Sequence, residues 1–189
     1  MQPPAVPNPQ QLCALAACLL GMLAPACAQD RAHAPSLYLQ GSWASHDTDA
    51  FTIGATLPFG SWSTPLWGGE LRAHWDLYLS RWSFDGIAGY NSSLVLGVTP
   101  TLRLRPNQGR AAWFWEAGLG ATLANHRYRT AQRTFSTQFN FAPHLGLGIN
   151  LGAQRQHEWL LSVQHVSNAG IKEPNPGLNF VRLRYALHF

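Results

Sequence analysis

The sequence contains little charge, a single lysine and, after residue 28, no cysteine. Charged residues make up 12% and apolar residues 46% of the 189 positions, which excludes a disordered chain and a coiled coil. All but one of the 13 lysine and arginine residues are arginine, and they form no basic run, so we expect no nucleic-acid partner. Cysteine is confined to Cys13, Cys18 and Cys27, and the later residues therefore have neither a disulfide framework nor a thiolate nucleophile. Tryptophan and phenylalanine are abundant instead, which favours β-strands.

The first 28 residues have the features of a signal peptide. The segment carries no charged side chain, its apolar core runs from Leu12 to Leu23, and Ala26 to Ala28 is a small-x-small pattern of the kind that signal peptidase cleaves. The core is shorter than the stretch of about 20 residues that a membrane-spanning helix needs. We predict a signal peptide over residues 1–28. A lipidated Cys27 is the alternative, which the alanine and proline residues before it disfavour.

From residue 37 onward, apolar and polar side chains alternate with a period of two, and no stretch shows a helical period. This alternation is typical of strands that have one apolar face. Strands of about 10 residues also match the tilted crossing of a bilayer. The apolar faces fall in eight segments, 37–43, 51–57, 67–79, 94–104, 113–123, 135–151, 159–163 and 181–189.

The eight segments predict an all-β fold, an eight-stranded antiparallel transmembrane β-barrel over residues 29–189. The polar faces carry charged groups such as Glu70, Arg72 and Asp76, which suit a narrow packed lumen. Alternation does not separate inside from outside, so a soluble barrel with a polar outer face is the alternative. The last segment ends in the carboxyl-terminal Phe189 and resembles the recognition signal of bacterial outer-membrane barrels. Together with a signal peptide, this ending predicts the outer membrane of a Gram-negative cell.

Three polar residues fall at positions that the alternation reserves for the apolar face. His165 and Ser167 continue the parity of the seventh segment, and Asn179 has the parity of the eighth. A hairpin with a loop over residues 168–178 would bring Ser167 and Asn179 close together. Residues i and i+2 of a strand share a face about 6 to 7 Å apart, so an imidazole here can take the serine proton while a third group orients the ring. The same spacing also suits plain interfacial polar residues at a strand end.

The segment from His165 to Gly177 closely resembles the C-terminal motif of the lipid A 3-O-deacylase family, H-x-S-N-A-G-[IL]-K-x-P-N-x-G. The resemblance implies an eight-stranded outer-membrane barrel that hydrolyses an ester-linked acyl chain of lipid A. It also implies that His165 is the general base and Ser167 the nucleophile. In the same way, it implies that Asn175 and the backbone of Gly170 form the oxyanion hole, which a tetrahedral intermediate needs for its negative charge.

The sequence departs from the family pattern at one position. The family carries a glutamate twelve residues after the nucleophile, where this chain has Asn179. An amide oxygen can orient the imidazole but cannot stabilise the imidazolium by charge. The larger outer-membrane phospholipase A barrels use a His-Ser-Asn triad with a similar H-x-S-N arrangement, so we predict Asn179 as the orienting residue, with Glu173 as a substitute. Asn168 either supports the loop after the nucleophile or is a plain turn residue.

Cationic side chains border the predicted outer loops. They either bind lipid phosphates as charge-assisted donors or form a solvated basic loop. This group consists of His126, Arg127, Arg129 and Arg133. Arg81, with the aromatic Trp82 next to it, begins another predicted outer loop and could contribute to the same binding. The polar faces also contain histidines without metal-ligand spacing, so we expect no metal and no cofactor. These are His74, His144 and His188.

Taken together, these features predict an outer-membrane serine esterase that removes the 3-O-linked acyl chain of lipid A. The expected partners are lipid A within lipopolysaccharide and the surrounding outer-membrane lipid, and a second copy of the chain is a further candidate. One alternative is a small non-enzymatic barrel, which would leave the polar residues on the lipid face without a purpose. Another is a phospholipase A-like hydrolase, against which the short chain argues.

Overall fold

The computed structural model describes residues 30–45 and 47–189, which form eight β-strands. The predicted signal peptide over residues 1–28 lies outside the described residues. In the part of the chain that is described, no helix is long and apolar enough to cross a membrane. The strands are β1 (Ser36–Ala44), β2 (Thr48–Leu66), β3 (Gly69–Gly86), β4 (Gly89–Arg105), β5 (Trp113–Ala124), β6 (Phe139–Leu151), β7 (His157–Val166) and β8 (Leu178–His188).

Each strand pairs antiparallel with its neighbour along the chain, and β1 closes the sheet against β8. The closing register places Ser36 opposite His188 and Ala44 opposite Phe180. Closure gives every strand two partners, so the barrel has no free edge. The predicted eight-stranded antiparallel barrel is confirmed.

The apolar side chains of the alternating strands point outward. Leu39, Leu96 and Leu161 are each more than half exposed, while the intervening residues are buried inside the barrel. A soluble barrel would bury this face, whereas a membrane barrel turns it to lipid. The inverted arrangement supports the membrane interpretation over the soluble alternative.

Arginine–carboxylate pairs fill the lumen. Arg103 donates to both Glu158, at 2.7 Å, and Glu116, and all three side chains are buried. Arg184 donates to Asp76 at 2.6 Å and lies fully inside the barrel. Buried charges of this kind persist only when they are paired and hydrogen-bonded. The lumen is therefore a packed polar core.

Some of the many glycines make room for aromatic rings in this narrow lumen. A Cβ atom added at Gly97 would lie 2.0 Å from Cζ of Tyr78, and one at Gly148 would lie 2.2 Å from Cζ of Phe114. Since real Cβ atoms do not approach other atoms so closely, the rings occupy space that only a glycine leaves open.

The two ends of the barrel differ. One end carries the loops over residues 125–138 and 167–177, while the other has the β2–β3 turn, the β4–β5 connection and the carboxyl terminus. Outer-membrane barrels keep their longer loops on the extracellular side. We call the end with the two long loops the outer end.

Aromatic side chains close the barrel at the outer end. Tyr128 contacts Phe84 and Phe135, with ring centroids 4.7 and 5.3 Å apart, and Trp82 contacts Phe180 at 4.9 Å. All five rings are buried. Because Tyr128 and Phe135 belong to the 125–138 loop, the cluster links this loop to the barrel wall.

Four predicted positions need correction. Phe135 was assigned to the apolar face of the sixth segment but lies before β6 and is 3% exposed in the mouth. Trp67 was assigned to a strand but occupies the turn between β2 and β3, with a positive φ of 50°. Arg81 and Trp82 do not begin a loop, because β3 continues to Gly86. The alternating pattern predicts correctly which face a residue lies on, but it predicts strand ends poorly. It runs some strands across turns and ends long strands too early.

Candidate functional site

His165 and Asn179 face each other across the hairpin of β7 and β8. They form a direct register pair, and Nδ1 of His165 lies 2.6 Å from Oδ1 of Asn179. An amide oxygen only accepts hydrogen bonds, so Nδ1 carries the proton in this contact. Nε2 of His165 is then the unprotonated nitrogen, which is the form that a general base requires.

Ser167 follows one residue after the end of β7 and continues its extended backbone. Its amide donates to the carbonyl of Phe141 at 3.0 Å and its carbonyl accepts from the amide of Phe141 at 2.7 Å, which ties it to β6. Ser167 therefore lies on the same outward side as His165, about 6 to 7 Å away along the strand. Within the described residues no hydrogen bond of the Ser167 hydroxyl is recorded, so side-chain rotation is needed to bring it onto Nε2 of His165.

The sequence predicts that Ser167 and Asn179 lie next to each other, but in the structure each has a different partner across the sheet. Asn179 pairs with His165, whereas Ser167 pairs with Phe141 on the other side. The loop between the strands covers residues 167–177, so it starts and ends one residue earlier than predicted. This register places Asn179 on the imidazole, where an orienting group has to lie.

A short loop follows Ser167 and folds back over it. The amide of Asn168 donates to Oδ1 of Asn175 at 3.1 Å, which holds the Asn175 side chain beside the residue after the serine. Because Oδ1 is the acceptor, the other end of this amide, Nδ2, has its N–H groups available, and no partner of Nδ2 is recorded among the described residues. The carboxylate of Glu173 accepts from the backbone amide of Asn175 at 2.8 Å, so Glu173 orders the loop and Asn179 contacts the imidazole.

Asn168 is the centre of this loop. Its side chain is 1% exposed and donates to the carbonyl of Lys172 at 2.7 Å and to Oγ of Ser136 at 3.0 Å. Its Oδ1 accepts the amide of Gly170 at 3.0 Å. The amide of Gly170 therefore already donates a hydrogen bond to Oδ1 of Asn168. It can donate to an oxyanion only after this hydrogen bond is broken.

Gly177, the last residue of this loop, lies against the imidazole of His165. It has a positive φ of 62°, and a Cβ atom added there would lie 2.7 Å from Cε1 of His165. Only glycine allows the backbone to approach the ring this closely in this conformation. Gly177 therefore fixes the space in which the His165 ring sits.

The loop over residues 125–138 holds the 167–177 loop from the side. Oγ of Ser136 donates to the carbonyl of Lys172 at 2.7 Å, and its amide donates to the carbonyl of Pro174 at 3.3 Å. The guanidinium of Arg133 donates to the carbonyl of Gly177 at 2.6 Å. The conformation of the loop after Ser167 therefore depends on a second loop.

The sequence interpretation did not identify three of these contributors. Ser136 carried no signal, Arg133 was placed in a basic loop, and Gly177 was quoted in the motif without a role. A serine in a loop or a glycine before a strand has many structural uses, so only the contacts with Lys172 and His165 reveal what these residues do here.

Apolar side chains surround the polar group on the outer wall. Val163 and Val181, the next pair down the barrel, are 56% and 50% exposed, and Phe141 beside Ser167 is 39% exposed. Across the described chain, no three His, Cys, Asp or Glu side chains are arranged to hold a metal ion. The arrangement therefore presents a serine and an oriented imidazole at the border between an apolar wall and the outer loops.

Comparisons of sequence identify one family, and a comparison of structure finds a similar fold. The sequence model of the lipid A 3-O-deacylase (PagL) family matches residues 49–188. The chain is 32% identical over 137 residues to the lipid A deacylase PagL of Bordetella bronchiseptica, which covers 68% of this chain and 74% of that protein. Its fold is similar to the crystal structure of the outer membrane enzyme PagL, with a TM-score of 0.68 and 20% identity, covering 82% of this chain and 99% of the other.

Proposed function

Because the chain belongs to the lipid A 3-O-deacylase family, we propose that Ser167 and His165 hydrolyse the 3-O-linked acyl ester of lipid A, with Asn179 as the orienting residue. The observation that carries this proposal is the 2.6 Å contact between Nδ1 of His165 and Oδ1 of Asn179, on the same outward side as Ser167. This contact leaves Nε2 as the proton acceptor.

The reaction begins when Oγ of Ser167 attacks the ester carbonyl carbon while Nε2 of His165 takes the hydroxyl proton. The tetrahedral intermediate collapses, the carbon–oxygen bond to the sugar breaks, and His165 gives its proton to the departing sugar oxygen. Water then attacks the acyl-serine with His165 again as base, and the fatty acid leaves as Ser167 recovers its proton. No other reactant is needed.

The oxyanion of the intermediate needs hydrogen-bond donors. We propose Nδ2 of Asn175 as the first donor, because Asn168 holds the other end of that amide. The amide of Gly170 is the second, after it exchanges the Oδ1 acceptor of Asn168 for the oxyanion. One such donor typically lowers the activation barrier by about 3 to 4 kcal/mol.

The position of the group on the outer wall suits a substrate that stays in the membrane. The exposed side chains of Val163, Val181 and Phe141 lie next to the site and offer a surface for the acyl chain. The outer loops lie on the other side, where the sugar headgroup would sit. A lipid therefore reaches Ser167 from within the bilayer, without extraction into water.

Mass spectrometry of lipid A tests the proposed function. Cells that express the wild-type chain should lose one acyl chain from lipid A, while cells with Ser167→Ala or His165→Ala should not. Equal amounts of folded barrel in the outer membrane are the control. Unchanged lipid A together with lysophospholipid release would favour a phospholipase, and no change in either lipid would favour a non-enzymatic barrel.

A further inference from the structure

A polar cleft lies at the outer end, beside the site but separate from it. The cleft has a volume of about 470 Å³ and lies between the tip of the β3–β4 hairpin and the loop over residues 125–138. Its lining includes Phe84, Asn91, Asn125, His126, Arg127 and Arg129. The described residues that line it provide cationic and amide groups and no carboxylate.

The two arginines are held on a rigid support. Residues 128 to 135 form a small hairpin, with Arg129 paired to Thr134 and the amide of Phe135 donating to the carbonyl of Tyr128 at 2.9 Å. Tyr128 points into the mouth, where its hydroxyl lies 2.7 Å from Oγ1 of Thr48. In this extended segment Tyr128 is buried while Arg127 and Arg129 are exposed, so both guanidinium groups point away from the aromatic cluster.

The charges of Arg127 and Arg129 are not balanced by the protein. Among the described residues, no carboxylate lies within ion-pair distance of either side chain, and the one recorded bond of Arg127 is a 3.5 Å contact with the carbonyl of Ser136. Inside the barrel, by contrast, Arg103 and Arg184 are each paired with acidic side chains. Two unbalanced guanidinium groups two residues apart on one hairpin are a ready site for a phosphate, which accepts bidentate hydrogen bonds from arginine.

The cleft lies within reach of the serine. Gln138, at its edge, is three residues before Phe141, which pairs with Ser167. Three residues of extended chain span about 10 Å. A disaccharide headgroup can bridge such a distance while one of its esters lies at Ser167.

We propose that this cleft binds the phosphate of the lipid headgroup through Arg127 and Arg129 and so positions the ester at Ser167. The proposal rests on the proposed function, because it names a subsite for the same substrate. The recognised group is an anionic phosphate, which a free phosphate ion shares with the lipid headgroup. Headgroup binding differs from ion binding because only the headgroup is tethered to the ester that reacts.

Steady-state kinetics on two substrates tests this subsite. The substrates are phosphorylated lipid A and the same acylated disaccharide without its phosphates, both in detergent micelles. For the Arg127→Gln/Arg129→Gln variant we expect KM on the phosphorylated lipid to rise about tenfold or more with kcat unchanged, because two charge-assisted contacts are lost. On the dephosphorylated lipid the variant should match the wild type.

Arg110→Gln is the matched control, since Arg110 is an exposed arginine in the β4–β5 connection at the opposite end. Inorganic phosphate is a second probe: it should raise KM for phosphorylated lipid in the wild type and not in the double variant. If phosphate inhibits but the double variant keeps the wild-type KM on phosphorylated lipid, the arginines bind a free ion only and headgroup positioning is wrong.

The remaining outcomes are equally decisive. Equal KM values for the two lipids in the wild type, or loss of turnover on both lipids in the double variant, would overturn the subsite. Arg127→Lys/Arg129→Lys, which keeps the charges, should retain part of the preference for phosphorylated lipid. Failure of the proposed function looks different, because then the wild type would cleave neither lipid or Ser167→Ala would cleave both.

Discussion

The contact between His165 and Asn179 is the residue-scale feature on which the chemistry depends. Both residues were predicted from their polar character on an apolar face, and the motif assigned the histidine its role. Their direct pairing at 2.6 Å depends on the register of β7 and β8, which differs by two residues from the predicted neighbourhood of Ser167 and Asn179. The amide sets the proton position on the ring, but it brings no negative charge to the imidazolium.

We expect Asn179→Ala to lower kcat for lipid A deacylation by about a hundredfold, the lower end of what an effective general base contributes. Asn179→Glu should instead raise kcat above the wild type, and its pH–rate profile should rise at a higher pH, because a carboxylate stabilises the imidazolium. Initial rates over a pH series with phosphorylated lipid A measure both effects. An unchanged rate in Asn179→Ala would remove this residue from the mechanism.

A second residue-scale prediction concerns Gly177. Gly177→Ala should lower deacylation strongly, because the added Cβ would lie 2.7 Å from Cε1 of His165 and push the ring off Asn179. Gly68→Ala is the control, since Gly68 has a similar φ of 73° with nothing within 4 Å of an added Cβ. Both variants should lose about 1 to 2 kcal/mol of stability from the left-handed backbone. Equal activity in the two variants would show that Gly177 does not limit the ring.

At the scale of elements, two loops act together at the outer end. The 167–177 loop carries the groups around Ser167, and the 125–138 loop holds it through Ser136 and Arg133. Alternation places both loops between strands, but no local pattern in the chain indicates that the two loops touch. Loop contacts depend on backbone carbonyls, such as those of Lys172 and Gly177, which any residue type supplies.

We predict that Ser136→Ala loosens the loop after the serine. The change removes the bond to the carbonyl of Lys172 and one partner of Asn168, at a cost of about 1 kcal/mol for each lost hydrogen bond. Hydrogen exchange of the amides in residues 168–175 should become faster and kcat should fall. Thr137→Ala, which loses only a 3.3 Å bond to Asn140, should leave both measurements at wild-type values. Equal behaviour of the two variants would show that Ser136 does not hold the 167–177 loop in place.

The molecule as a whole reverses the arrangement of a soluble protein, because its apolar side chains lie outside and its charge pairs lie inside. The chain belongs to a family of lipid A ester hydrolases and forms an eight-stranded outer-membrane barrel. The scarcity of charge in the composition has a simple origin in this fold, because the outer wall must be apolar and the lumen holds only a few ionised groups. Those few are arranged around Arg103 and Arg184.

Removal of a lumen charge should destabilise the barrel. Glu116→Ala takes one carboxylate from buried Arg103, and breaking a buried pair typically costs about 3 to 5 kcal/mol. Glu70→Ala is the matched control, because its pair with Arg72 is partly exposed and such pairs contribute about 0 to 1 kcal/mol. Thermal unfolding in detergent micelles, followed by circular dichroism, should show a clear loss of Tm only for Glu116→Ala. Similar Tm values would mean that the lumen pairs do not hold the fold.

The sequence by itself determined the strand number, the two faces of the wall and the residue types at the site, because alternation and motif are local properties of the chain. The exposed apolar side chains confirm the outward face that the transmembrane interpretation predicts. Tertiary structure alone decided that His165, and not Ser167, pairs directly with Asn179, and that the 125–138 loop supports the loop after Ser167. These are contacts between residues distant in sequence. They depend on barrel closure and strand register, which side-chain patterns constrain only to within a face.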